Sequence, residues 1–328
     1  VDARLIPLNA FIALASPAGT SWPNPLHGAG YRLEALELPL DTAEGRVVAD
    51  AVAFSPVMNR FLVVETKSGR NVRPDQAQRY GQVDAHQLVR HTGVTVARDD
   101  EITVKPLYVC LADNVDRILT GLHVAGCAYP VLAVSDDQIT LHGEGSSPQD
   151  IADIFSSPVP TTGWAPTIIR VDEQSEAGEF DMIASQALVA AVNLGATVPI
   201  SVVDLAGRAV PHLNFYGTRY RNSLIKKIEQ ALERLCADSP ANFHFRGRTA
   251  SRDYSLVEIV DSPERADPRG RTQRYQAIRR HSRGQAPSEP SSPSQMALFD
   301  SVDLGTELEE PEDSGSDVAP GGHEEGEA

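Results

Sequence analysis

The stretch from Arg46 to Tyr80 constrains this chain more than any other, because it sets ionisable residues inside apolar runs. Val47 to Phe54 reads as a strand and carries Asp50. Ser55, Pro56 and Asn59 form a turn-prone spacer, and Phe61-Leu62-Val63-Val64 then leads into Glu65-Thr66-Lys67. Apolar, β-branched runs of this length between turn residues are the pattern of buried strands. Side chains alternate along a strand, so Glu65 and Lys67 are expected on one face and Thr66 on the other. Paired as a hairpin, the two runs bring Asp50 near Glu65, with an ammonium group beside the two carboxylates.

Those residue types suit a divalent cation. Magnesium prefers oxygen ligands, commonly one or two carboxylates completed by water and substrate phosphate. It polarises a phosphodiester and lowers the pKa of bound water, while a lysine orients the nucleophile or offsets developing charge. In this reading Asp50 and Glu65 hold Mg2+ (or Mn2+), together with the backbone carbonyl of Thr66, and Lys67 serves the attacking water. Glu-x-Lys is also a common tripeptide on solvated strand faces. Here both carboxylates adjoin strongly apolar runs, where a charge is costly unless paired or bound to a cation.

Pro74 marks an early helix position, and Asp75 to His91 reads as one helix closed by Gly93. Gln76 and Tyr80 lie four apart and share a face of it, as they would on any amphipathic helix. Asp50, Glu65-x-Lys67 and Gln76-x-x-x-Tyr80 together resemble the PD-(D/E)XK nuclease superfamily; the last element is similar to the Gln-x-x-x-Tyr motif of its exonuclease-like branches. The resemblance implies an α/β, restriction endonuclease-like fold: a mixed central sheet flanked by helices, with the metal ligands on adjacent strands. It also implies that Gln76 and Tyr80 help position DNA or the reacting water. Val48-Ala49 stands where many members carry a proline before the aspartate. Members often have a further acidic residue in an N-terminal helix. Glu34 and Glu37 are the nearest candidates, but Tyr31 to Leu38 reads as strand, and neither is carried over.

The net charge of −16 is at first sight wrong for a DNA enzyme, but it is unevenly spread. From Gln285 onward there are 12 acidic residues and no Lys or Arg, whereas Arg246 to Gly284 holds 10 Arg against 5 acidic residues. The acidity is in good part a tail, so nucleic acid is not excluded as a partner. A length of 328 residues leaves room for two modest domains, and 41% hydrophobic content suffices for a core. No run approaches the 18 apolar residues of a membrane span. The start, RLIPLNAFIALAS, has something of a signal peptide, but Pro7 and Asn9 interrupt it and no basic cluster precedes it, which favours a structural segment. Cys110, Cys127 and Cys236 have no metal-ligand spacing and read as small buried residues of a reducing cytoplasm. His86 and His91 are five apart, not the four of a helical zinc pair, and P-loop, dinucleotide and Gly-x-Ser-x-Gly signatures are missing.

Along the chain we expect a short helix at Leu8 to Ala15, strands at Ile102 to Leu111, Val131 to Val134 and Ile139 to His142, and a helix at Val115 to Val124. The nuclease-like core is expected over residues 1–145 and a linker over 146–179. An accessory α/β region over 180–264 has a helix at Phe180 to Leu194, a strand at Val198 to Leu205, an amphipathic helix at Thr218 to Cys236 and a strand at Tyr254 to Val260. Arg219, Arg221, Lys226 and Lys227 give that second helix a basic face, for phosphates or simply for solvent. Residues 265–284 form an Arg-rich segment in which Arg271, Arg274, Arg279 and Arg280 are candidate DNA contacts, with Tyr275 among them. Residues 285–328 read as a disordered acidic tail. Within it, Gln295-Met296-Ala297-Leu298-Phe299 is similar to the peptide by which bacterial replication and repair proteins dock on the DNA sliding clamp; the resemblance implies contacts through Gln295, Leu298 and Phe299. The expected activity is metal-dependent hydrolysis of DNA phosphodiester bonds, with recruitment by the clamp. The competing reading is a catalytically inactive protein that tethers a partner to DNA or to the clamp.

Overall fold

Seven strands build one mixed sheet in the computed structural model, which describes residues 2–17, 22–96, 102–143, 147–193 and 199–260. The chain enters through helix α1 (Ile6–Ala15) and the single turn α2 (Pro25–Gly28). Strands β1 (Arg32–Thr42), β2 (Gly45–Ser55) and β3 (Arg60–Lys67) follow as an antiparallel meander. Helices α3 (Pro74–Tyr80) and α4 (Ala85–Thr92) then carry the chain to β4 (Thr103–Leu111), parallel to β3. Helix α5 (Val115–Val124) crosses to β5 (Val131–Val134), parallel to β4. Parallel neighbours need such crossovers, antiparallel ones only a turn. Strand β6 (Gln138–His142), helix α6 (Gln149–Ile154) and the two-residue β7 (Val159–Pro160) complete the sheet in sequence order. The sheet thus runs on past residue 145, where the core was expected to end.

Both faces of the sheet are covered, which is why β2 and β3 are apolar at nearly every position. Ala51, Ala53, Leu62 and Val64 face one layer, and Val52, Phe54, Phe61 and Val63 face the other. The first layer is α1 with α7 (Ala177–Asn193), α8 (Val202–Ala209), which follows the short β8 (Ile200–Ser201), and α9 (Thr218–Asp238). Phe11, Ile12 and Leu14 of α1 and Leu224, Ile228 and Leu232 of α9 lie in this one apolar cluster, each burial contributing roughly 1.5–3 kcal/mol. The second layer is α3, α4 and α5, through Tyr80, Leu88, Ile118 and Leu122. A small sheet of order β8, β10 (Leu256–Ile259), β9 (Phe243–Arg246) closes the described part. All described residues belong to one unit, Val1–Ala286. Among them no helix is long and apolar enough to cross a membrane.

Several expectations need correction. The segment 75–91 is two helices: α3 ends at Tyr80, and Asp84 starts α4 by accepting a hydrogen bond from the Gln87 N–H at 3.2 Å. Gly93 closes α4 with φ 70°, a left-handed conformation that costs glycine little. Val198 to Leu205 is not a strand; only Ile200–Ser201 is extended, and the β-branched run continues as α8. Ser201 accepts from the Asp204 N–H at 3.0 Å, a helix start that outweighs the β preference of the valines. Strand β1 continues through Pro39 to Thr42, because an edge strand can spare the missing N–H. Asn9, which breaks the apolar N-terminal run, is buried in α1. Its amide donates to Ile169 O at 3.0 Å and accepts from the N–H groups of Ile168 and Ile169 at 2.9 and 2.6 Å.

Candidate active site

The candidate site lies where β2 and β3 part. Their ladder ends at the pair Ala51 and Val64, one residue short of Asp50 and Glu65. Beyond it β3 stays paired with β4 as far as Lys67, and β2 follows β1. The opening therefore sits at the carboxyl end of parallel strands, the end at which open α/β sheets bind ligands. Asp50 reaches across it: Oδ2 accepts from the Thr66 N–H at 2.6 Å and from Thr66 Oγ1 at 2.7 Å. Strict alternation would have turned the Thr66 side chain away, but both donors of Thr66 fix the Asp50 carboxylate. Among the described residues Oδ1 of Asp50 has no hydrogen-bond partner.

Glu65 is buried, with 4% of its surface exposed, and both its oxygens are engaged. Oε1 lies 2.6 Å from Lys67 Nζ and accepts from Gln76 Nε2 at 3.1 Å. Oε2 lies 2.5 Å from the Tyr80 hydroxyl. That hydroxyl is also 2.6 Å from the Val48 carbonyl oxygen and 3.4 Å from Gln76 Nε2. Helix α3 delivers the two side chains because residues four apart share a face, and Pro74 in its first turn fixes its start. Tyr80 is wedged edge-on against Tyr108, which stacks on Tyr129. The structure thus brings Asp50, Glu65, Thr66, Lys67, Gln76 and Tyr80 together. Arg271, Arg274, Arg279, Arg280, Gln295, Leu298 and Phe299 lie outside the described residues.

Burial is the main electrostatic influence here. It pushes the Asp50 carboxyl up to about 7, reinforced by the Glu65 carboxylate and opposed by the Thr66 hydrogen bonds and Lys67. The Tyr80 phenol is held well above its ordinary value by burial and by the Glu65 and Asp50 carboxyls, so it stays protonated at neutral pH. Among the described residues no three His, Cys, Asp or Glu side chains form a ready metal cage.

Two residues near the site receive no role from sequence reasoning, which names Glu37 as a candidate acid without carrying it over. Glu37 lies across from Asp50, between the pairs Leu36–Ala51 and Leu38–Ala49, and has φ 47°. Burial, with Asp50 as the next cause, pushes its carboxyl up to about 8. In the sequence it is an acid set between apolar Leu36 and Leu38, and it is set aside as a candidate because its surroundings read as strand. Asn114, at the start of α5 and 6% exposed, donates through Nδ2 to Ser68 O at 2.8 Å and so holds the loop that leaves Lys67. A buried asparagine before a helix reads as a cap, and nothing in the sequence points it at residue 68. Comparison with protein-family models, with curated proteins and with solved structures returns no match.

Proposed function

We propose that this chain is a metal-dependent nuclease that hydrolyses DNA phosphodiester bonds, with a sheet of the restriction endonuclease-like type. The observation that carries the reading is the convergence of Asp50, Glu65 and Lys67, from two diverging strands, with Gln76 and Tyr80 of α3 on Glu65. A lysine on a buried carboxylate alone would make an ordinary ion pair. The second carboxylate, with one oxygen held and the other without a partner among the described residues, is what an ion pair does not need.

The donor set suits magnesium or manganese, which is commonly held by one or two carboxylates and leaves its other positions to water and phosphate. Asp50 and Glu65 would hold the ion, which when bound supplies Lewis acidity toward a phosphodiester and its attacking water. Thr66 fixes Asp50, and Gln76 and Tyr80 fix Glu65, so the two carboxylates are oriented before substrate arrives. Lys67 places a cation at the same carboxylate, in position to donate to a water or to a non-bridging phosphate oxygen. Tyr80 keeps its proton and acts as donor, not as base. The peptide from Gln295 to Phe299 would bring the enzyme to DNA through a sliding clamp.

The test is cleavage of linear, circular, single-stranded and branched DNA, with RNA alongside, in magnesium or manganese, beside Lys67→Ala. Metal-dependent DNA cleavage that disappears in the variant is the expected result. No cleavage of any substrate would leave the tethering protein as the better reading, and preferential RNA cleavage would replace the substrate.

A further inference from the structure

We propose that the groove between the loop after β3 and the first turns of α5 is a second binding site, which takes a backbone phosphate of a DNA strand through Arg70 and Arg117. The inference deepens the nuclease reading and rests on it for the identity of the polymer. The groove is part of the described structure, a concavity of about 420 Å³ lined by Arg70, Asn71, Val72, Asp116, Arg117 and Thr120.

Three features make it more than a pair of surface arginines. Its position is fixed to the candidate site by the chain itself, since Arg70 follows Lys67 by three residues, at most about 11 Å of extended backbone. A duplex strand advances about 3.4 Å per nucleotide, so a strand lying on Lys67 passes the groove within roughly three nucleotides. Its wall is held in place: Asn114 binds Ser68 O through Nδ2 and accepts from Arg70 Nε at 3.4 Å through Oδ1. Gly121 lets α5 approach so closely that a Cβ there would stand 2.8 Å from Val72 Cβ.

The third feature is the state of the guanidinium groups. Arg4, Arg46, Arg60, Arg79, Arg234, Arg246 and Arg248 sit on carboxylates. Among the described residues neither Arg70 nor Arg117 forms an ion pair, although Asp116 lines the same groove. They share that lack with Arg73, Arg90 and Arg208, and differ from these in lining one groove together. Two planar, permanently charged donors facing one concavity are suited to phosphate oxygens, which accept the paired N–H bonds of a guanidinium. Thr120 spends its hydroxyl proton on Asp116 O at 2.8 Å, so the two arginines, the Asn71 amide and the main chain are the groups left to donate.

The site is tested by titrating the full chain into labelled single-stranded and duplex DNA, without divalent metal, over a range of KCl concentrations. Wild type is compared with Arg70→Gln, Arg117→Gln and the double variant, and with Arg208→Gln as a charge control on α8. The double variant should bind roughly tenfold or more weakly. Its log–log salt dependence should be shallower by about one for each arginine removed, with unchanged melting temperature. Arg208→Gln should bind like wild type; equal weakening there would reduce the effect to overall charge and overturn the site. Unchanged affinity and slope in the double variant, with wild-type cleavage intact, would overturn the site and leave the nuclease reading standing. DNA binding that depends on both arginines in a chain that cleaves nothing would support the site and overturn that reading. Inorganic phosphate that binds wild type but not the double variant, while DNA affinity is the same in both, would assign the groove to a free anion and overturn the strand. A wild-type chain that binds no DNA under these metal-free conditions would overturn the site, and cleavage with magnesium or manganese then decides the nuclease reading separately.

Discussion

The Tyr80 hydroxyl stands 2.5 Å from Glu65 Oε2 and 2.6 Å from the Val48 carbonyl oxygen, so one phenolic proton faces two acceptors. Whichever acceptor the proton serves, Tyr80 spans the opening between β2 and β3 and holds Glu65 from the side opposite Lys67. Tyr80→Phe keeps the ring against Tyr108 and removes only that proton. Metal affinity or cleavage should fall roughly 10–100-fold, as for other losses of a group that orients a metal-binding carboxylate. Stability should fall by about 1–3 kcal/mol, the usual cost of an unmatched buried acceptor. Denaturant melts and single-turnover cleavage measure the two separately. A variant equal to wild type in both would show that α3 supports the site by packing alone.

The carboxyls of Asp50 and Glu37 make a prediction about pH. In the unfolded chain they titrate near 3.8 and 4.5; in the folded, metal-free chain burial raises them to about 7 and about 8. Between those values the native state binds more protons than the unfolded state, so stability falls as pH rises from about 4 to about 8 and then levels. Asp50→Asn removes one of the two groups and should flatten the curve, leaving the variant more stable than wild type at pH 8 without metal. Added magnesium should raise the wild-type melting temperature at pH 8 and leave Asp50→Asn unmoved, since a cation that binds only the folded chain stabilises it. Melting scans from pH 4 to 9, with and without magnesium, decide this. A flat metal-free profile would contradict the raised carboxyls.

How far the site was legible follows from the range of the interactions. Glu65-x-Lys67 and Gln76-x-x-x-Tyr80 are spacings within single elements, and Asp50 meets Glu65 across a short hairpin, so local periodicity suffices for all of them. Glu37 depends on the pairing of β1, whose register shifts between Leu33 and Ala35, and on a left-handed backbone that no pattern announces. Asn114 acts on Ser68 across 46 residues, a contact made only once β3, β4 and α5 are assembled. The same limit explains α8, where one serine cap reassigned a run of valines, and Asn9, whose partners lie 160 residues away.

Asn9 accordingly bears on stability and not on catalysis. Asn9→Ala would leave the N–H groups of Ile168 and Ile169 and the Ile169 carbonyl without their partner in the layer formed by α1. The expected loss is about 3 kcal/mol or more, because each buried polar group left unmatched costs about 1–3 kcal/mol. Cleavage per folded molecule should not change. Urea melts measured beside kcat at a temperature well below the transition would show it, and a loss under about 1 kcal/mol would mean that water replaces the amide.

Gly121 and Gly69 separate close packing from loop flexibility in the segment that leaves Lys67. At Gly121 a Cβ would meet Val72 Cβ at 2.8 Å and Cγ2 at 3.0 Å, whereas at Gly69 nothing lies within 4 Å. Valine is stiff about χ1, so Val72 cannot swing aside and the loop itself must move. Gly121→Ala should therefore cost about 1–3 kcal/mol, the usual penalty of overpacking, and weaken DNA binding by shifting Arg70. Gly69→Ala, in the same loop, adds a methyl to open space and restricts only the unfolded chain, so stability should hold or rise by up to about 1 kcal/mol. Calorimetry and DNA titration on the two variants give the answer. If both behave alike, the tight contact between α5 and Val72 is not what fixes the loop, and Asn114 holds it alone.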